Sequence, residues 1–332
     1  MKQGLKGMHR RAAAVAVAGA VLMALVPGVA CASDFPSKPI TLITPTAPGG
    51  AMDGVARVLA ERLKHRLGQP VVLDYKPGVG GTLGSGLAAR ATPDGLTLVI
   101  VADSYLTVSP RVLRGVSLQP FKDLAPVIEI GSSPMVLVAH PSLGVRTLPE
   151  FLAKVRADAG AIRYASAGMG SPHHLFMAQL EQQLGLRMNH VPYKGGPQAF
   201  SDLLGGHVDL MFIVDSTASA QIASGRLVPL GVSSARRLAA YPNVPAIAES
   251  LPGYQREFWF AIFAPAGTPQ PVIDRLNREI SASLDEPEVQ KAVIALGIAP
   301  AAQRSSAALA QKLKAEDERM RVLIQSLGIK PE

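Results

Sequence analysis

The chain has 332 residues, 48% of them apolar, a formal charge of +8 and a single cysteine. A single hydrophobic core stops growing at about 250–300 residues, so more than one α/β unit is expected. One cysteine excludes a disulfide scaffold, and basic residues that never cluster among aromatics exclude a nucleic-acid protein.

Lys2, Lys6, Arg10 and Arg11 precede an apolar run over residues 12–29, which closes on Ala30-Cys31-Ala32. That order of basic head, apolar middle and small-residue end predicts a secretory signal peptide over residues 1–32, cleaved after Ala32. The mature protein would begin at Ser33 in the periplasm. A lipid anchor on Cys31 is the alternative, ranked second because Gly28 stands where lipoprotein signals usually carry Leu. A transmembrane helix fits less well, since Pro27 interrupts the run. Cleavage removes four basic residues and no acid, so the charge falls from +8 to +4. It also removes the only cysteine, and with it disulfide, thiol and Cys-based metal chemistry.

Short apolar runs then alternate with segments of helical period, the pattern of a mostly parallel sheet covered by helices. Residues 40–44 read as a strand, and Val55, Val58, Leu59, Leu63 and Leu67 mark one face of a helix that Gly68 stops. A strand over 71–74, a small-residue helix over 82–90, the Pro93-Asp94-Gly95 turn and a strand over 96–102 follow. A second α/β series has strands expected at 135–139, 162–166, 208–212 and 228–233. Its helices are expected over 172–184, 197–204 and 216–224. Beyond a run at 259–264, amphipathic helices are expected over 269–284, 287–296 and 306–327.

The first strand leads into Thr44-Pro45-Thr46-Ala47-Pro48-Gly49-Gly50-Ala51-Met52-Asp53, a turn that opens a helix. Two glycines leave backbone N–H groups uncovered, and the helix start adds partial positive charge, which suits an anion. A plain turn capped by Asp53 is the alternative. In the second series, Ser166-Ala167-Gly168-Met169-Gly170-Ser171-Pro172-His173-His174 repeats the arrangement. Two such loops, one in each series, suggest a jaw that holds a carboxylate from both sides.

Other chemistries fit poorly. Gly84-Ser85-Gly86-Leu87-Ala88-Ala89 matches the dinucleotide fingerprint, yet it begins ten residues past Asp74 rather than directly after the strand. Ser171 lacks the glycine that would make it a nucleophile elbow. His173 and His174 are adjacent, about 100° apart on a helix, and do not share a metal easily. No catalytic residue, cofactor or metal is expected.

These blocks resemble the solute receptors of tripartite tricarboxylate transporters, the Bug family, over essentially the whole mature chain. Pro48-Gly49-Gly50-Ala51-Met52-Asp53 is similar to that family's first ligand loop, and Lys76-Pro77-Gly78-Val79-Gly80-Gly81 with Pro93-Asp94-Gly95 to its next block. Gly168-Met169-Gly170-Ser171 with His174, His190-Val191-Pro192-Tyr193-Lys194-Gly195, Leu203-Leu204-Gly205-Gly206-His207-Val208-Asp209 and Pro242-Asn243-Val244-Pro245 continue the match in order. Asp74-Tyr75-Lys76 departs from the family's usual Glu-Asn-Arg.

The resemblance implies a two-lobed periplasmic binding protein fold, type II-like, with two crossovers between α/β lobes. Lobe 1 would comprise residues 33–130 and 256–332, and lobe 2 residues 131–255, with the ligand cleft between them. It implies a monomer that binds a small carboxylate, largely through backbone amides and water, and hands it to membrane permease subunits. The expected ligand-binding residues are Thr46, Ala47, Gly49, Gly50 and Asp53 from one lobe, and Ser166, Gly168, Gly170, Ser171 and His174 from the other. Ser104, Tyr193, Lys194 and Asp215 are candidates for the walls. A sensory protein docking on a membrane receptor and an exported α/β enzyme acting on a carboxylate are the competing readings.

Overall fold

β1 (Ile40–Thr44) lies between β2 (Val71–Tyr75) and β3 (Thr97–Ala102) and pairs with both in parallel. The computed structural model describes residues 35–193, 195–326 and 328. The expected signal segment, its cleavage site and Lys194 lie outside the described residues. From Pro36 onward the chain forms one compact unit.

Helix Ala51–Leu67 joins β1 to β2. Its apolar period places Val55, Leu59 and Leu63 on one buried face, and Gly68 ends it in the left-handed conformation at φ 69°. On a residue with a Cβ that backbone would be strained.

β4 (Leu124–Ala139) is a sixteen-residue strand of which the sequence pattern marks only the end. Pro126, Gly131 and Pro134 break the apolar run and hide the first part. The structure absorbs this at register shifts between Pro126 and Ile128 and between Glu129 and Gly131. A Cβ on Gly131 would lie 2.3 Å from the Ala299 carbonyl oxygen, so the short strand Ala299–Pro300 pairs there because the residue is glycine.

The remaining strands are β5 (Arg163–Ser166), β6 (Asn189–Pro192), β7 (Leu210–Val214), β8 (Val228–Val232) and β9 (Glu257–Pro265). Their order is β2-β1-β3-β9-β4-β7-β5-β6, with β8 also on β4. β4 pairs with β9 through Leu124 to Pro134, then with β7 and β8 from Met135 onward. The chain thus passes from one sheet to the other along β4 and returns at Glu257. Each sheet combines three parallel strands with antiparallel strands at the crossing.

Strand directions decide which ends face each other. β3 and β4 both run antiparallel to β9, so β1, β2 and β3 run with β4, toward the second sheet. β7 runs against β4, and β5 and β6 run with β7, toward the first sheet. The carboxyl ends of both parallel sets therefore point at the junction, where open α/β sheets place their ligands. Beside it, Leu175 of helix Pro172–Leu184 packs with Val108, Val112, Met320, Leu323 and Ile324, so the last helix, Ser306–Ser326, spans the two halves.

Candidate functional site

The first glycine loop leaves β1 at its carboxyl end and opens helix Ala51–Leu67. Its N-cap is Gly50, in extended conformation at φ −90°, and no side chain caps the helix. The first N–H groups of an α-helix have no partner within it, so those of Ala51, Met52 and Asp53 are left for water or ligand. A Cβ on Gly50 would meet nothing within 4 Å. Gly49 instead adopts φ +101°, and its N–H donates to Asp53 Oδ2 at 2.8 Å. Thr46 makes only a long contact with Met52 Sδ at 3.9 Å. No hydrogen bond engages a side chain at Ala47, which has only its methyl to offer.

Asp53 is buried and collects further donors. Tyr75 Oη donates to Oδ1 at 2.6 Å, Arg57 Nε donates to Oδ2 at 3.1 Å, and Arg57 Nη2 reaches Tyr75 Oη at 2.7 Å. Burial alone would raise the carboxyl's pKa, but the bonds from Tyr75, Gly49 and Arg57 together hold it below the ordinary carboxylate range. Asp53 is therefore ionised, and both its oxygens are engaged at the turn.

The second glycine loop is closed by its own side chains. Gly168 N–H donates to Ser166 Oγ at 3.1 Å, Gly170 N–H donates to His174 Nδ1 at 3.1 Å, and Ser171 Oγ donates to the Gly168 carbonyl at 2.7 Å. Ser171 also caps helix Pro172–Leu184 by accepting the His174 N–H, and Pro172 has no N–H to offer. Two equivalent amide cradles, suggested by the paired glycines, are thus not what the geometry provides: the first helix start is open and the second is filled. The N-cap makes the difference: Ser171 caps the second helix, whereas Gly50 at the same place has no side chain to offer, and Asp53 and His174 each take a glycine N–H from four residues earlier.

A stack of rings backs the second loop. His174 lies on His190 with centroids 4.4 Å apart and planes 5° apart, and His190 lies on Tyr164 at 4.7 Å. His190 Nε2 hydrogen-bonds Ser166 Oγ at 2.7 Å. Burial chiefly, helped by His190 and Arg187, pushes the His174 pKa down to about 4, and burial does the same to His190. Both rings are neutral near pH 7, which His174 Nδ1 needs in order to accept from Gly170. The sequence shows His190 only as a motif letter, and its stacking role has no local signal because β6 brings it in from 24 residues away.

The wall candidates divide. Ser104 follows β3 at the junction, and its buried Oγ has no hydrogen-bond partner. His173 Nδ1, next to the second loop, is likewise buried without one. Such groups ask for water or ligand. Tyr193 follows β6 but turns its hydroxyl to Asp202 at 2.7 Å. Asp215 follows β7 and accepts a short hydrogen bond from Tyr241. Among the described residues no cluster of three or more His, Cys, Asp or Glu could hold a metal, and no helix is long and apolar enough to cross a membrane.

Residues 55–329 match the model of the tripartite tricarboxylate transporter family receptor. A UPF0065 protein in the tcbD-tcbE intergenic region of Pseudomonas sp. strain P51 is 39% identical over 87% of this chain and 86% of its own. Rpa4515 of R. palustris, solved with adipate, superposes with a TM-score of 0.79 at 29% identity over 90% of this chain and all of its own. MatC of Rhodopseudomonas palustris, solved with bound malate, gives 0.75 at 30% identity over 87% of this chain and 100% of its own. The chain belongs to the tripartite tricarboxylate transporter receptor family, as a solute-binding protein of the two-lobed periplasmic binding fold and not an enzyme.

Proposed function

We propose that this receptor is exported to the periplasm, captures a small carboxylate at the junction of its two sheets and delivers it to the permease subunits of a tripartite transporter. The observation that carries the reading is the helix start at Gly50: uncapped, free of any covering side chain and placed where strand ends from both halves converge. Its free N–H groups and favourable dipole suit one carboxylate group. Adipate and malate in the similar R. palustris proteins support the ligand class.

In this reading residues 33–130 and 256–332 form one lobe and 131–255 the other. Thr46, Ala47 and Gly50 line the anion seat, and Gly49 and Asp53 hold its shape. Ser166, Gly168, Gly170, Ser171 and His174 form the opposing wall, with Ser104, Tyr193, Lys194 and Asp215 around it. Residues 1–32 are the export signal. N-terminal sequencing should find Ser33 first, and an acylated Cys31 would replace the free protein with a membrane-anchored one.

The deciding experiment is titration calorimetry with di- and tricarboxylates, aromatic acids, amino acids, sugars and amines. Carboxylates should bind, with the stoichiometry of one per chain. Binding of sugars or amines while every carboxylate fails would overturn the reading.

A further inference from the structure

Tyr75 ends the edge strand β2, in register with Thr44 at the end of β1, and so stands beside the mouth of the first glycine loop. Its hydroxyl sits between two groups, donating to Asp53 Oδ1 at 2.6 Å and accepting from Arg57 Nη2 at 2.7 Å. Arg57 also meets the Asp53 carboxylate directly at 3.0 Å and lies 5.8 Å from the centroid of the Tyr75 ring. Asp53 in turn takes the N–H of Gly49.

A surface ion pair four residues apart on a helix is by itself of little consequence. Here the pair ends on a backbone amide that shapes the turn, and Gly49 holds a left-handed φ of +101° that other residues resist. Asp53 also stands in the first turn of the helix, where an ionised carboxylate interacts with the positive end that the ligand needs. An unaccompanied charge there would repel an incoming anion. Arg57 offsets that charge, and Tyr75 fixes which oxygen faces the turn.

We propose that Tyr75 and Arg57 are positioning residues that, through Asp53, lock the Gly49 turn and offset its charge, and thereby set the receptor's affinity for carboxylates. The inference rests on the anion seat at Gly50 proposed above. Loss of Tyr75 frees Oδ1 and loosens the carboxylate that holds the Gly49 amide, and loss of Arg57 in addition leaves negative charge at the seat. Neither residue need touch the ligand.

The test uses the full mature protein, Tyr75→Phe and Arg57→Met, with adipate and malate as probes. Three measurements are made: calorimetric Kd, the unfolding midpoint without ligand, and the amide proton shift of Gly49. Each variant should bind the better probe roughly tenfold more weakly, about 1.4 kcal/mol, because binding must then order the loosened turn. Unliganded midpoints should stay within about 2 °C of the parent, a change of under 1 kcal/mol for a chain of this size. The Gly49 amide should move upfield as its bond to the carboxylate loosens. Affinities within twofold of the parent, or weakened binding with the Gly49 amide unmoved, would overturn the proposal. If the parent binds neither probe nor any other carboxylate, the carboxylate reading fails. The Gly49 shift in the unliganded variants still reports whether the two side chains hold the turn.

Discussion

Arg256 Nη2 faces Glu316 Oε1 across 3.8 Å, with both side chains enclosed, at the point where the chain returns to its first sheet. The guanidinium also lies 5.2 Å from the centroid of the Phe176 ring and contacts Met320 Sδ. It therefore touches helix Pro172–Leu184 on one side and helix Ser306–Ser326 on the other. Burial depresses its pKa while Glu316 and Asp103 oppose the shift, and burial together with Glu316 pushes Asp103 upward. Removing one partner of a buried pair leaves the other charge uncompensated. Arg256→Leu should therefore cost about 3–5 kcal/mol in urea unfolding. The double variant with Glu316→Gln should recover part of that loss. A cost of less than about 1 kcal/mol would mean that Arg319, which also bonds Glu316, already compensates its charge.

Gly50 offers a clean separation of binding from folding. With φ −90° and no atom within 4 Å of a built Cβ, Gly50→Val should lower the unliganded melt only by the loss of a favourable N-cap residue, about 1 kcal/mol, while covering the helix start. Ligand at about 100 times its Kd should stabilise the parent by roughly 2.7 kcal/mol. That is a melting shift of roughly 5–10 °C, which the variant should lose. Gly168→Val is a poorer probe, because φ is +114° there and a Cβ would sit 3.3 Å from the Tyr193 carbonyl oxygen. Full retention of the shift in Gly50→Val would remove this helix start from the site.

The buried histidines predict acid lability with a defined window. His173, His174 and His190 have pKa values pushed down to about 4, chiefly by burial. Unfolded histidine titrates near 6.5, so below about pH 6.5 the unfolded chain takes up protons that the folded one refuses. Stability should fall as pH drops from there to about 4, below which the folded rings protonate as well. His174 alone contributes on the order of 3 kcal/mol at the acid end. Asp103 and Glu181, with pKa values raised chiefly by burial, work in the opposite sense and gain stability on acidification, so two carboxyls oppose three rings. Urea midpoints at pH 7, 5.5 and 4.5 should decline for the parent and decline less for His190→Gln. Midpoints that hold steady across this range would contradict the burial of these rings as neutral groups.

Ligand should draw the two halves together. The open helix start belongs to one side of the junction and the closed serine-histidine loop to the other, so a bound carboxylate meets both only when the gap narrows. Small-angle scattering at saturating ligand should give a smaller radius of gyration than without it. Equal radii would mean that the ligand is held from one side alone.

The sequence by itself determined the alternation of strands and helices, because burial at period 2 or 3.6 leaves a residue-by-residue mark, as in Val55, Leu59 and Leu63. It also marked both glycine loops, since only glycine serves where the backbone turns as at Gly49 and Gly168. Tertiary structure decided the rest. The first part of β4 is unreadable locally, because its prolines and Gly131 are tolerated only through bulges and the close passage of Ala299. Both loops read in sequence as open anion seats, yet Ser166, Ser171 and His174 fold back onto the backbone of the second. Ser166, His190 and His174 meet through strand pairing, and Asp53 is claimed by Tyr75 from 22 residues away. Hydrogen bonds between residues distant in sequence leave no period to read, so which amides stay free for a ligand is settled only when the strands have paired.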